Sequence, residues 1–376
     1  MNKCLVTKLS GVVDNPDLLR LGEIRIKVRK LNTEYEHRAL TLSFSKETNI
    51  TITGDGYFTD KNSVSNKGKQ IVVPANTQTI VYISNGDYDI NIYNKYDLTF
   101  FVDYAFGEVN APQKSGFSIN IEDFKYSRNI TRINTSEING DIAAVKNLTN
   151  LTSLSLSSTQ VSGDIAAVKN LTNLTLLSLS STQVSGDIAA VKNLTNLTSL
   201  SLFSTQVSGD IAAVKNLTNL TSLSMRLSNI TGDISNLSSL TKLASAQLNS
   251  VSGNILALNS TKLTNLIISN SGGLNGDLAL LKKDFTYLGL ENDKTSVFSW
   301  TSRATDANIY GIGGNSIMSS NLDDVLNNLA NCKNAITSTT ASWAKVISFT
   351  GTRTSASDAA VEKLTGYGYT ISIAKV

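Results

Sequence analysis

The sequence predicts a multidomain chain: an N-terminal all-β sandwich (residues 1–112), a linker and solenoid cap (113–135), a central α/β solenoid of stacked repeats (136–293) and a small C-terminal α/β cap (294–376). Three observations point there. Residues 138–229 read as four copies of one 23-residue unit; Val161–Gln183 is VSGDIAAVKNLTNLTLLSLSSTQ and Val184–Gln206 is VSGDIAAVKNLTNLTSLSLFSTQ. Residues before 112 alternate apolar and polar between turn signals. From Lys294 the repeat stops, and strand-like and helix-like periods follow one another. A unit of this length cannot bury its apolar face alone, so neighbours must stack into a solenoid.

The unit carries the reasons for its own fold. Gly140, Gly163, Gly186, Gly209 and Gly232 mark the period, and looser copies follow at Gly253 and Gly276. The apolar frame of one unit is Leu148, Leu151, Leu154, Leu156, Val161 and Ile165, with Thr159 and Gly163 between. Leu154 and Leu156 alternate with Ser153, Ser155 and Ser157, which predicts a short strand with leucines inward and serines outward. Such strands, stacked about 4.8 Å apart, would form a parallel sheet along the concave side. Gly163 permits the turn off that side. Asp164–Leu171 reads as a short helical segment capped by Ser162 or Asp164, with Ile165, Val168 and Leu171 facing the core.

This frame resembles the leucine-rich-repeat family over roughly residues 136–293, and the Val-Ser-Gly-Asp-Ile corner resembles the L-x-G-x-I sub-motif of plant-type repeats. The resemblance implies the fold and says little about function. Two departures matter. No Pro follows the Ile, which makes a more helical outer segment the expectation. The usual Asn after the strand is replaced by Thr159, Thr182, Thr205 and Ser228, and returns at Asn249. A hydroxyl has one donor where an amide has two, so the ladder of turn hydrogen bonds should be thinner. The late segment TRTSASDAAVEKLTGYGYTISI resembles the tail of leucine-rich-repeat proteins of Bacteroides-type gut bacteria and their phages.

In the first 112 residues, Ile24, Ile26 and Val28 alternate with charges, and Leu40, Leu42 and Phe44 repeat the pattern. Ile50 and Ile52, Ile80 and Tyr82, and Ile90 and Ile92 continue it, with turns at Gly54–Gly56, Gly68 and Gly86. Short strands at this spacing predict a sandwich. The basic run Arg25, Lys27, Arg29 and Lys30 reads as a solvated strand face. Phe117–Arg132 is expected to cap the first repeat through Phe124, Tyr126 and Ile130. Near the other end, Leu322, Val325, Leu326 and Leu329 share one face of a helix over Asn321–Cys332. Val346–Phe349 and Tyr367–Ile373 read as strands around a second helix that ends before Gly366.

A net charge of +3 implies no nucleic-acid partner. Cys4 and Cys332 are expected as free thiols. The N-terminus lacks the apolar core of a secretory signal, and no run of about 18 apolar residues predicts a membrane span. No cofactor or metal is expected, and no catalytic residue stands out. The single histidine, His37, lies in a polar run between Glu36 and Arg38, so a Ser-His-Asp or Cys-His site lacks a base. Gly311–Gly314 is too short for a nucleotide loop. Asp141, Asp164, Asp187, Asp210 and Asp233 evoke calcium-binding rolls, but read more simply as acids at the start of helical turns. The Asn-Leu-Thr triplets match the glycosylation pattern with their Leu in the core frame.

The differences between copies are more informative. Apart from the lead-in, the first three copies differ only at Ser153/Leu176/Ser199 and Ser157/Ser180/Phe203. The fourth puts Arg226 at the second place and changes Leu227 beside it; the later copies align there with Gln247, Ser269 and Glu291. Both columns are expected to be outward-facing strand positions. Two accounts fit. One is drift after duplication at exposed positions. The other is a binding strip on the concave face made of Leu176, Phe203, Arg226, Gln247, Tyr287 and Glu291, since an aromatic beside an arginine is common at the centre of interfaces.

The functional expectation is a non-enzymatic recognition protein that presents its repeats to a protein or glycan. It is expected in a phage or prophage virion, as a fibre or host-attachment component whose N-terminal domain joins other virion proteins. The alternative is an adhesion or interaction protein at the bacterial cell surface, secreted, or in the cytoplasm. A glycan hydrolase is the third reading, and it would need paired carboxylates in one cleft. Asp323 and Asp324 sit instead on a solvated helix face. Self-association into a homo-oligomer stays open.

Overall fold

The computed structural model describes residues 138–270 without a break. It also describes 23–28, 37–46, 48–54, 57–59, 70–73, 75–76, 79–84, 88–93, 98–106, 117–125, 127–135, 273–277, 280–281, 287–291, 297–299, 312–313, 317–318, 322–331, 346–350 and 352–374. The chain divides into two compact units, Met1–Ile130 and Thr131–Val376.

In the first unit all pairings are antiparallel among the described strands. Glu23–Val28 lies between Tyr88–Tyr93 and Phe117–Asn120, and Thr48–Gly54 lies between Tyr88–Tyr93 and Gln70–Val73. A second set places His37–Phe44 between Thr79–Ser84 and Leu98–Phe106, with Tyr57–Thr59 on the far side of Thr79–Ser84. Leu42, Phe44 and Ile50 are fully buried, as their alternation predicts. The inward positions read for Ile24, Ile26, Val28, Leu40, Ile52, Ile80, Tyr82, Ile90 and Ile92 lie outside the described side chains. Phe124 packs edge-to-face on Phe101, with ring centroids 5.1 Å apart, so it belongs to the core of this unit.

The second unit is a stack of coils with two parallel sheets where the repeat pattern predicts one. The first sheet takes Arg132–Asn134, Ser153–Ser155, Leu176–Ser178, Ser199–Ser201, Ser222–Ser224, Ser245–Asn249, Asn265–Ser269 and Tyr287–Glu291 in order. The second takes Ile138–Asp141, Gln160–Asp164, Gln183–Asp187, Gln206–Asp210, Asn229–Asp233, Val251–Asn254 and Leu274–Asp277. The Val-Ser-Gly-Asp corner is therefore a strand, and Gly163 allows its conformation with φ +102°.

The outer segment is tighter than the sequence suggests. Ile165–Val168 is one 3₁₀ turn, repeated at Ile142–Val145, Ile188–Val191 and Ile211–Val214. A 23-residue coil that spends residues on two strands has room for a single such turn. Asp164, not Ser162, is the cap: its Oδ1 accepts from Ala166 N at 2.8 Å. Three-residue spacing suits a 3₁₀ turn, and Ile165, Val168 and Leu171 are all fully buried.

The core of each coil is the apolar frame itself. Leu148, Leu151, Leu154, Leu156 and Val161 have no exposed surface, and neither do their counterparts Leu171, Leu174, Leu177, Leu179 and Val184. Beyond the repeats, Val297–Ser299, Ile317–Met318, Val346–Thr350 and Thr370–Ala374 extend the second sheet in parallel. The helix Leu322–Ala330 buries Leu322, Val325, Leu326 and Leu329. Its Asp323 accepts from Thr354 N, Thr354 Oγ1 and Ser357 Oγ, which ties it to the turn that leads into the helix Asp358–Gly366. No helix among the described residues is long and apolar enough to cross a membrane.

Candidate binding surface

The outward side of the first sheet is a serine wall. Leu154, Leu177 and Leu200 point into the core, so Ser153, Ser155, Ser199 and Ser201 face the other way and are half-buried. The wall bonds to itself. Ser157 Oγ lies 2.6 Å from Ser178 Oγ in the next coil, and Ser180 Oγ lies 2.5 Å from Ser201 Oγ. Phe203 interrupts this pairing in the third copy.

Just beyond the wall each coil turns into the second sheet, and the turn has a left-handed residue. Ser158, Ser181, Ser204 and Ser250 have φ between 53° and 61°. Each donates its backbone N–H to the next coil, Ser158 to Ser180 O at 2.8 Å and Ser204 to Arg226 O at 2.9 Å. Thr159 Oγ1 donates to Leu156 O at 2.6 Å, within its own coil. Asn249 Nδ2 reaches Ser228 O, 3.2 Å away in the preceding coil, but the strand register sets Asn249 opposite Arg226, so the Asn does not return at the Thr159 position as the sequence suggested. The hydroxyls at that position bond carbonyls of their own coil. Threonines elsewhere compensate: Thr175 Oγ1 donates to Thr152 O and Thr198 Oγ1 to Thr175 O. Asn173, Asn196 and Asn219 form a further ladder onto carbonyls of the preceding coil at 2.9 Å.

The two variable columns occupy different places. Ser153, Leu176, Ser199, Ser222, Ser245, Asn265 and Tyr287 are in register in the first sheet. The second column, Ser157, Ser180, Phe203 and Arg226, lies in the turn after the strand rather than in the strand. The strand lengthens to Ser245–Asn249 only in the fifth coil. There the register corrects one assignment. Gln247 pairs with Ser224 and accepts from Ser224 Oγ at 3.3 Å, so it does not continue the Arg226 column. Asn249 takes that place, followed in register by Ser269 and Glu291. The fifth coil reaches its glycine two residues early, which hid the shift in the sequence.

Phe203 and Arg226 therefore sit in adjacent coils, both half-buried, with Leu176 one coil before Phe203 at the start of its strand. Tyr287 and Glu291 are three coils past Arg226, roughly 14 Å along the stack at the usual strand spacing. Their backbone is described and their side chains are not.

Leu227 is the residue the sequence undersold. It holds the left-handed turn position with φ 59°, where Ser204 and Ser250 flank it in the neighbouring coils. Its side chain is 52% exposed. That region costs any residue with a Cβ about 1–2 kcal/mol, the corner serines included, and the exposed Leu227 side chain buries little against it. Its N–H also leaves the corner ladder: among the described residues it meets no backbone acceptor in the next coil, and Ser228 N closes a local turn on Met225 O instead.

The remaining candidates take their places. The stacked acids are turn caps: Asp141, Asp164, Asp187 and Asp210 each accept from the backbone N–H two residues on, at 2.8 Å. Among the described residues no three His, Cys, Asp or Glu side chains gather as metal ligands. Cys4 and Cys332 lie outside the described residues, and so does the side chain of His37.

No protein-family model matches the chain. No curated protein sequence matches it either. Solved structures do resemble it. A plant peptide hormone receptor, RGFR1 in complex with RGF2, is 22% identical with a TM-score of 0.49, over 68% of this chain and 41% of the receptor chain. Internalin C2 from Listeria monocytogenes is 27% identical with a TM-score of 0.40, over 50% of this chain and 83% of its own. A leucine-rich-repeat protein of Leptospira interrogans is 18% identical with a TM-score of 0.42, over 57% of this chain and 56% of its own. The frame, the coil register and the buried leucines carry the assignment by themselves. The central coils form a leucine-rich-repeat solenoid.

Proposed function

We propose that this chain is a non-enzymatic recognition protein. Its repeats offer a regular wall, and the side chains that depart from serine touch a protein or glycan partner. One observation carries the reading. Among copies that are otherwise nearly identical, the changes Leu176, Phe203 and Arg226 all fall on half-buried, outward positions beside the wall. An aromatic and an arginine in adjacent coils supply the contact chemistry that dominates interfaces. Gln247, Tyr287 and Glu291 belong to the wider strip, Gln247 through the wall itself.

The test is an array of bacterial surface proteins and glycans probed with the whole chain and with Phe203→Ser and Arg226→Ser, each restoring the common residue of the column. Each substitution should weaken a retained ligand by about 1–2 kcal/mol, roughly 5- to 30-fold. Equal binding by both variants and the parent chain would end the reading.

The finer reading places the protein in a phage or prophage virion, with residues 1–112 joining it to other virion proteins. What speaks for it is the run of antiparallel strands that precedes the repeats in sequence, together with the resemblance read from residues 352–373 alone. Mass spectrometry of purified particles should detect the chain; recovery only in bacterial envelope or cytosolic fractions would move it to the cell.

A further inference from the structure

We propose that one column of the coils is an array of asparagine acceptors for a glycosyl group, carried at Asn147, Asn170, Asn193 and Asn216. The site does not depend on the partner proposed above.

Each of the four copies carries two consecutive Asn-Leu-Thr triplets, such as Asn170-Leu171-Thr172 and then Asn173-Leu174-Thr175. Asn-x-Thr is the acceptor pattern for N-glycosylation. The structure gives the two triplets different duties. In the second, both polar groups are spent on the preceding coil. Asn173 Nδ2 donates to Thr149 O and Thr175 Oγ1 to Thr152 O, each at 2.9 Å, and Asn196 with Thr198 and Asn219 with Thr221 repeat the arrangement. In the first, both are left over. Asn170 and Thr172 are exposed, and among the described residues neither side chain makes a hydrogen bond. The same holds for Asn147 with Thr149, Asn193 with Thr195 and Asn216 with Thr218.

The fold is able to use this position. Seven residues past its glycine, where the fourth coil has Asn216, the fifth has Ser239, and its hydroxyl donates to Lys215 O in the preceding coil. Where the residue is Asn, that tie is absent and a hydroxyl follows two places on. An exposed amide and an exposed hydroxyl at this spacing, both idle in the fold, are what a glycosyltransferase reads.

A sugar nucleotide is the donor, and the step balances. Asn170 Nδ2 forms a bond to the sugar C1, the C1–O bond to phosphate breaks, the nucleoside diphosphate leaves, and a base of the transferase takes one amide proton. A transferase must hold the triplet as a free segment, and Leu171 is fully buried, so transfer precedes closure of the coil. Folding then sorts the products. A sugar on Asn170 stands in solvent and interrupts nothing. A sugar on Asn173 replaces an amide proton beside the Thr149 carbonyl, crowds the preceding coil and breaks a ladder bond.

Co-expression of the full chain with an asparagine glycosyltransferase that uses a uridine-diphosphate hexose tests this. Peptide mass spectrometry of the soluble, folded chain should find hexose at Asn147, Asn170, Asn193 and Asn216. Their occupancy should exceed that of Asn173, Asn196 and Asn219 by roughly fivefold or more, as one net hydrogen bond dictates. Thr172→Ala should remove the hexose from Asn170 alone, and the thermal midpoint should not move, because that hydroxyl holds nothing in the fold. Soluble chain bare at both columns would overturn the acceptor array, and so would hexose that stays on Asn170 in Thr172→Ala. Equal occupancy of the two columns would overturn the assignment to the first.

Discussion

A single contact recurs from coil to coil: a capping aspartate lies over the glycine of the next coil from Asp141 over Gly163 to Asp233 over Gly253, and Asn254 takes its place over Gly276. A Cβ built on Gly209, which has φ +112°, would stand 2.6 Å from Asp187 Oδ1 and 3.2 Å from Ile188 Cγ2. Gly209→Ala therefore meets both backbone strain and the carboxylate that holds the 3₁₀ turn. It should lower stability by about 2–4 kcal/mol in denaturant titrations. Asp187→Ser keeps a capping oxygen on a shorter side chain, so in that background the alanine should cost roughly 1 kcal/mol less. Additive losses would show that the carboxylate is not the obstacle. The sequence made the glycines legible as period markers, because they recur. It did not disclose the contact, since that needs Asp187 and Gly209 stacked across coils. Leu227 was equally hard to weigh: one serine-to-leucine change looks like drift until its backbone angle and exposure are known.

At the scale of elements, the strand Ser-Leu-Ser and the buried frame follow directly from alternation, and the frame's leucines are where their spacing puts them. The second sheet was hidden because Gln-Val-Ser-Gly-Asp has one buried apolar residue and a glycine, a pattern that reads as a turn. The switch from helix to 3₁₀ turn follows from coil length rather than composition. The joint between the two late helices makes a further prediction. The hydroxyl of Ser357, then that of Thr354, hold the Asp323 carboxyl below its usual range, with help from the Thr354 N–H and nearby Arg353 and against some desolvation. A carboxylate lowered on folding stabilises above its unfolded value, about 3.9, and that contribution is lost as pH falls through the lower folded value. Amide exchange at Thr354 should therefore quicken as pH drops below about 4, after correction for intrinsic rates. Asp323→Asn should exchange faster at neutral pH and lose that dependence. An unchanged profile in the variant would assign the protection elsewhere.

Across the whole molecule, the four near-identical copies make the stack modular. Deleting Val161–Gln183 joins Gln160 to Val184 and recreates the Gln-Val junction found at Gln183-Val184 and Gln206-Val207. Stability in such arrays is close to a sum over units and their interfaces. The shortened chain should fold, with a smaller denaturant slope and a slightly lower thermal midpoint, and should keep any binding that depends on Phe203 and Arg226. Failure to fold would mean that the coils are not interchangeable. The paired hydroxyls of the wall have one more consequence. Each pair uses one of its two hydroxyl protons, so every such joint keeps a donor and lone pairs for water or for a polar group laid across the coils. A molecule settling there must replace those water contacts with its own, and since the background offers the same match at each joint, discrimination falls to the few side chains that rise above it.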